Sequence, residues 1–159
     1  MASFDDHINQ AKRNLLFLEK INNQCKEFYD WQVTACFYSS LHLVNAHLTT
    51  LNLQYRKHKD VKAVLNPFSM SPAKLPEEEY TAYISLQSLS RRARYLVNEK
   101  DDNLNSSQAF FTHDKHLGRA IRHLDKLATY FTNRYRFTLD ALKIDCPGLN
   151  YSQFKLIKK

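Results

Sequence analysis

The stretch that decides the fold is YDWQVTACFYSSLHLVNAHL, residues 29–48. It contains no Gly, Pro, Lys or Arg. At about 100° per residue, Val33, Phe37, Leu41, Val44, Leu48 and Leu51 fall on one stripe of a helix. Trp31, Ala35, Tyr38, His42, Ala46 and Thr49 form a second stripe beside it, with Asn45 at its edge. A helix that is apolar on two faces belongs in the middle of a bundle. Ser39, Ser40, His47 and Thr50 share the remaining side, so these polar residues are expected outside the core. The helix is expected over about 31–53, with Asp30 as its cap.

The helical period recurs on either side. Ser3-Phe4-Asp5-Asp6 is a start pattern: the serine caps and the aspartates suit the positive helix end. Ile8, Ala11, Leu15, Leu18, Ile21, Cys25 and Phe28 then make an amphipathic first helix, with Lys12, Arg13, Glu19 and Lys20 outside. After the second helix come a basic connector over 53–59, a short helix over about 60–66, and a loop with Pro67 and Pro72. A long helix starts near Pro76, with Glu77, Glu78 and Glu79 in its first turn. Its predicted buried stripe is Ala82, Leu86, Leu89, Ala93, Leu96 and Val97. Residues 100–107 read as solvated loop. The last helix is predicted from about His113 to Ile144, with a stripe of Leu117, Ile121, Leu124, Ala128, Phe131, Tyr135, Leu139 and Leu142. Gly118 is a mild weakness in it. The predicted fold is all-α: an up-down antiparallel bundle of four long helices plus a short fifth, over residues 1–145. A basic, aromatic tail over 146–159 is expected to be loosely held.

Composition supports this. The chain has 159 residues, enough for a core without staples. Two Gly and four Pro are too little turn material for a many-stranded β fold. No membrane span is expected, and the acidic, polar start MASFDDHINQ sets the expectation of no secretory leader. Three widely spaced cysteines argue against a disulfide framework and for a cytoplasmic location. Cys25 and Cys36 read as small buried hydrophobes. No Gly-rich phosphate loop, dinucleotide fingerprint or nucleophile elbow occurs, so no cofactor is expected.

Three motif runs add a resemblance. Asp30…Tyr38-x-Ser40-x-His42-x-x-x-Ala46 resembles the central helix of HEPN-domain proteins. So do the following Lys57-His58-Lys59-Asp60-Val61 and Tyr83-x-x-Leu86-x-x-Leu89-Ser90-x-x-Ala93-Arg94-Tyr95, in the same order. The likeness covers about residues 5–135. It implies an all-α, often dimeric bundle in a superfamily tied to toxin–antitoxin, phage-defence and RNA-processing systems. Many members are metal-independent ribonucleases marked by Arg, four to six residues, then His. This chain departs there: Arg119 and His123 are separated by three residues, and Arg56 and His58 by one. The resemblance therefore points toward the non-catalytic or divergent members, binding RNA or a protein partner.

The residues themselves offer three constellations. Lys115, Arg119, Arg122 and Lys126 recur at helical spacing opposite the apolar face of the last helix, with Tyr130, Asn133 and Phe137 continuing near that side. Cations tracking phosphates with aromatics for bases have this form; so does a solvated helix face. Gln87, Arg91, Arg94 and Asn98 form a ladder whose arginine forks suit phosphates, a partner's acidic rim or internal carboxylates. Tyr38, His42 and Asn45 share one shoulder of the central helix. If Arg91 or Arg94 faced His42, an acid–base pocket would result; the plainer alternative is a buried histidine that fixes register. His58, on the basic connector, is the other candidate for proton transfer. His113 and His116 are spaced to clip a metal, but Lys115 and the lack of further ligands set the expectation of none. Three functions stay open: an RNA- or protein-binding bundle, expected to be a homodimer; a divergent ribonuclease using His42 or His58 with Arg91, Arg94 or Arg119; and a pure interaction subunit.

Overall fold

The structure, a computed structural model, describes residues 1–96 and 111–159. It is an all-α bundle of α1 (Phe4–Gln24), α2 (Tyr29–Thr49), α3 (His58–Leu65), α4 (Glu77–Tyr95) and α5 (Asp114–Tyr135), followed by short strands β1 (Leu142–Lys143) and β2 (Ile157–Lys158). Helix α2 packs against α1, α4 and α5 and is the central rod. None of the described helices is long and apolar enough to cross a membrane. Val97, Asn98 and the loop expected over 100–107 lie outside the described residues.

Helix α1 starts as its sequence demands. Ser3 Oγ accepts from the Asp6 N–H at 3.1 Å, and the Asp6 carboxylate accepts from the Ser3 N–H at 2.8 Å. This reciprocal box satisfies two donors at the helix end. The helix ends one turn earlier than its apolar period suggests. Cys25 leaves helical geometry, and both Cys25 and Phe28 are exposed rather than buried. Asp30 does not cap α2. It lies in the first helical turn, where its charge suits the dipole, and Phe28 occupies the cap position without a side-chain bond.

The polar side of α2 is the main correction. Ser39, Ser40 and His47 are buried, whereas Trp31 is 56% exposed. A rod packed on three sides by helices has no free polar face, so Ser39 and His47 find their partners inside, while the buried Ser40 Oγ has no hydrogen-bond partner among the described residues. Ser39 Oγ donates to the Ala35 carbonyl at 2.8 Å, one turn back. The helix stops at Thr49, short of residue 53, because Asn52 turns left-handed at φ 56° and Leu53 N–H bonds back to the Leu48 carbonyl at 3.0 Å.

Helix α4 buries Ala82, Leu86, Leu89 and Ala93 as expected. Leu96 does not join them: it ends the helix in the left-handed region and is 52% exposed. Helix α5 stops at Tyr135, not Ile144, because Arg136 turns left-handed at φ 56°. The chain beyond is extended, so Leu142, Ile144 and Cys146 are buried while Lys143 and Asp145 face out. The tail is packed rather than loose. The buried Asp125 carboxylate accepts from the Leu156 N–H at 2.7 Å and the Lys155 N–H at 3.1 Å, and Phe154, Leu156 and Ile157 are buried around it. Residues 142–143 and 157–158 then pair in parallel.

Candidate nucleic-acid interface

The C-terminal turn of α4 gathers much of the expected cationic set. Arg94 lies 5.7 Å from the centroid of the Tyr38 ring and 4.8 Å from that of Tyr95, and donates to the Tyr95 hydroxyl at 3.2 Å. Both distances are within cation–π range. His58, at the start of α3, packs on Phe37 with ring centroids 5.5 Å apart. Burial, and then the Arg94 charge, hold its imidazole below the ordinary histidine value. Arg94 therefore meets Tyr38 and lies near enough to His58 for its charge to act there.

His42 is half-buried one turn along α2 from Tyr38. Its partner is neither Tyr38 nor Asn45 but His7 of α1, with the two Nδ1 atoms 3.0 Å apart. One ring must donate and the other accept. Burial lowers the pKa of both, with mutual repulsion adding to the effect at His42. His7 belongs to the site without having been evident in the sequence, because it lies in the first turn of α1, far along the chain.

Between α1 and α2 runs a groove of about 280 Å³ lined by Gln10, Asn14, Phe17, Trp31, Thr34, Ala35, Tyr38 and His42. Phe17 is 53% exposed and Trp31 56% exposed. Phe17 had a signal: with Leu16 it interrupts the polar outer face of α1.

A second cationic group forms where α4 and α5 meet. Arg92 is close enough to Arg119 for the charges to repel, and donates to the Phe111 carbonyl at 3.1 Å. His116 sits among Arg92, Lys115, His113 and Arg119; burial and then these charges lower its pKa to about 4. Its Nδ1 accepts from the His113 N–H at 3.0 Å, which makes it a helix cap. Among the described residues, no group of three or more His, Cys, Asp or Glu could hold a metal ion.

The α5 stripe is not uniform. Lys126 is bound by Glu78 at 2.5 Å, so its charge is already answered. Arg122 lies beside Lys126 and His123 in a cleft with Glu77 and Glu78. Lys115 and Arg119 are exposed and, like Arg122, have no carboxylate partner among the described residues. Tyr130 and Phe137 are only partly exposed and engaged by Arg134 and Phe4. Arg91 is exposed on the last turn of α4. The cations thus divide into an Arg94 group facing α2 and an Arg92–Arg119 group facing α5, both at one end of α4. No protein-family model, curated protein or solved structure matches this chain.

Proposed function

We propose that this chain is an RNA-binding helical bundle of the HEPN kind, acting as a homodimer in a defence or toxin–antitoxin setting. The observation that supports it is the concentration of Arg91, Arg94, Lys115 and Arg119 toward the C-terminal end of α4, with Arg122 and Lys126 further along α5 beside Glu77 and Glu78. His116, buried among these cations, has its pKa lowered to about 4, first by burial and then by their charge. Such a surface attracts a phosphate backbone, and its affinity falls as salt rises. The formal net charge of +7 acts in the same sense at long range. The succession of motifs shared with HEPN-domain proteins supports RNA as the polyanion and the dimer as the assembly. The test is fluorescence anisotropy with a labelled RNA across a salt series. Affinity should fall steeply with salt, and Arg119→Glu with Arg122→Glu should flatten the slope. Binding indifferent to both would end this reading.

A second reading, a divergent metal-independent ribonuclease, is favoured by one relationship. Burial and then the nearby Arg94 charge hold the His58 imidazole below its ordinary pKa, which favours its neutral form. A neutral imidazole can take the proton of a ribose hydroxyl while a guanidinium steadies the phosphate. His42 is the alternative base, and Arg91 or Arg119 the alternative cation. RNA cleavage by purified protein in chelator, lost in His58→Ala or His42→Ala with the fold retained, would favour it.

A further inference from the structure

The α1–α2 groove is unaccounted for by a surface that only attracts phosphates. We infer that it receives one unpaired nucleobase of a single-stranded RNA, stacked against Trp31 and Phe17, while Arg94 holds the adjoining phosphate. This inference rests on the RNA-binding reading above.

Three properties of the groove converge on that occupant. First, its rim is aromatic. Trp31 and Phe17 are each more than half exposed and border the same hollow, whereas exposed apolar side chains are ordinarily scattered singly. Rings presented in this way are platforms for bases, which all carry a π-face. Second, its charge suits an anion. Among the described residues no carboxylate lines the groove, and the Arg94 guanidinium lies over the Tyr38 ring that forms part of its wall. A cationic ligand gains nothing from that arrangement. Third, its size and polar groups fit a single ring system. About 280 Å³ lies just below the range typical of ligand pockets, a size that suits one ring system. Gln10 and Asn14, bonded to each other at 3.0 Å, keep a further acceptor and further donors for a base edge. A duplex has no free base to insert, so the groove would select single strands.

Trp31 is the only tryptophan in the chain, so intrinsic fluorescence reads this groove directly. The experiment titrates the full chain with a short single-stranded oligoribonucleotide, its duplex of equal length, and an abasic strand with the same phosphates. The single strand should quench Trp31 and shield it from acrylamide; the other two should not. Trp31→Ala and Phe17→Ala should each weaken single-strand binding by about tenfold or more, as expected for one lost stacking contact, and Trp31→Phe should largely keep it. Both side chains are exposed, so the variants should melt like the parent, which checks that they fold. If RNA binds with steep salt dependence but leaves Trp31 emission and the Trp31→Ala affinity unchanged, the base pocket is overturned while polyanion binding stands. If none of the three oligomers binds at low salt, the RNA-binding reading itself falls. If Trp31 emission changes with protein concentration alone, a second copy fills the groove and the inference is overturned.

Discussion

His47 Nδ1 lies 2.5 Å from the Tyr135 hydroxyl while its Nε2 lies 3.0 Å from the Ala73 carbonyl. A carbonyl only accepts, so Nε2 carries the proton and Nδ1 accepts from tyrosine. One buried imidazole thereby ties α2 to the end of α5 and to the loop that enters α4. Tyr135→Phe leaves Nδ1 as a buried acceptor without its donor. The expected loss is about 1–3 kcal/mol, measured as a lower urea midpoint with an unchanged slope.

Six of the seven histidines have lowered pKa values: His7, His42, His47, His58, His116 and His123, each with burial as the largest cause. Their folded values lie below the unfolded value of about 6.5, so in acid the unfolded chain binds more protons. Stability should be full above about pH 6.5 and fall as pH drops toward the folded values, the lowest of which is about 4 at His116. Melting temperatures across that window should decline steadily. His116→Gln keeps an acceptor for the His113 N–H and removes the titration. It should flatten the acid part of the profile.

Much of the fold was legible because helical periodicity and core burial are the same fact seen twice. Val33, Phe37, Val44 and Leu48 had to share a face, and they are buried. The misreadings have a common cause. Ser39, Ser40 and His47 look like a wet face in one dimension, since sequence does not say how many neighbours a helix has. Past Tyr135, Leu139 and Leu142 still satisfy a helical spacing. The alternation Leu142-Lys143-Ile144-Asp145-Cys146 signals extended chain, and a two-residue strand is too short to dominate the period. The site was half legible: Arg94, His42 and His58 carry visible chemistry, but their pairing with Tyr38, His7 and Phe37 is fixed by packing between distant segments.

Asp125 offers a sharp test of the docked tail. Its carboxylate answers two backbone donors, Lys155 N–H and Leu156 N–H. An asparagine at this position keeps one acceptor and turns a donor toward the second N–H. Asp125→Asn should cost about 1–3 kcal/mol and speed proteolytic trimming after Gly148, followed by mass spectrometry.

Gly118 has space it does not use. A Cβ there would meet Leu149 Cδ2 at 3.5 Å and Cys146 Sγ at 3.8 Å, both ordinary contacts. Alanine is the better helix former by about 1 kcal/mol. Gly118→Ala should therefore raise the thermal midpoint, with the tail still docked. A loss of stability instead would mean that Leu149 cannot give way.

The ion pair at Lys126 makes the basic stripe testable residue by residue. Each phosphate contact contributes about 0.7 to the salt slope for a single strand. Arg119 is exposed and unanswered by carboxylate among the described residues, so Arg119→Ala should remove roughly one such increment. Lys126 is held at 2.5 Å by Glu78, and on the RNA-binding proposal a cation already paired would release few counterions. Lys126→Ala should thus leave the slope nearly unchanged. Glu78→Gln removes the competing carboxylate while keeping the side chain's shape, and should raise RNA affinity and steepen the slope. Equal effects of Arg119→Ala and Lys126→Ala would mean that the stripe binds as one undifferentiated surface, with Glu78 displaced on binding.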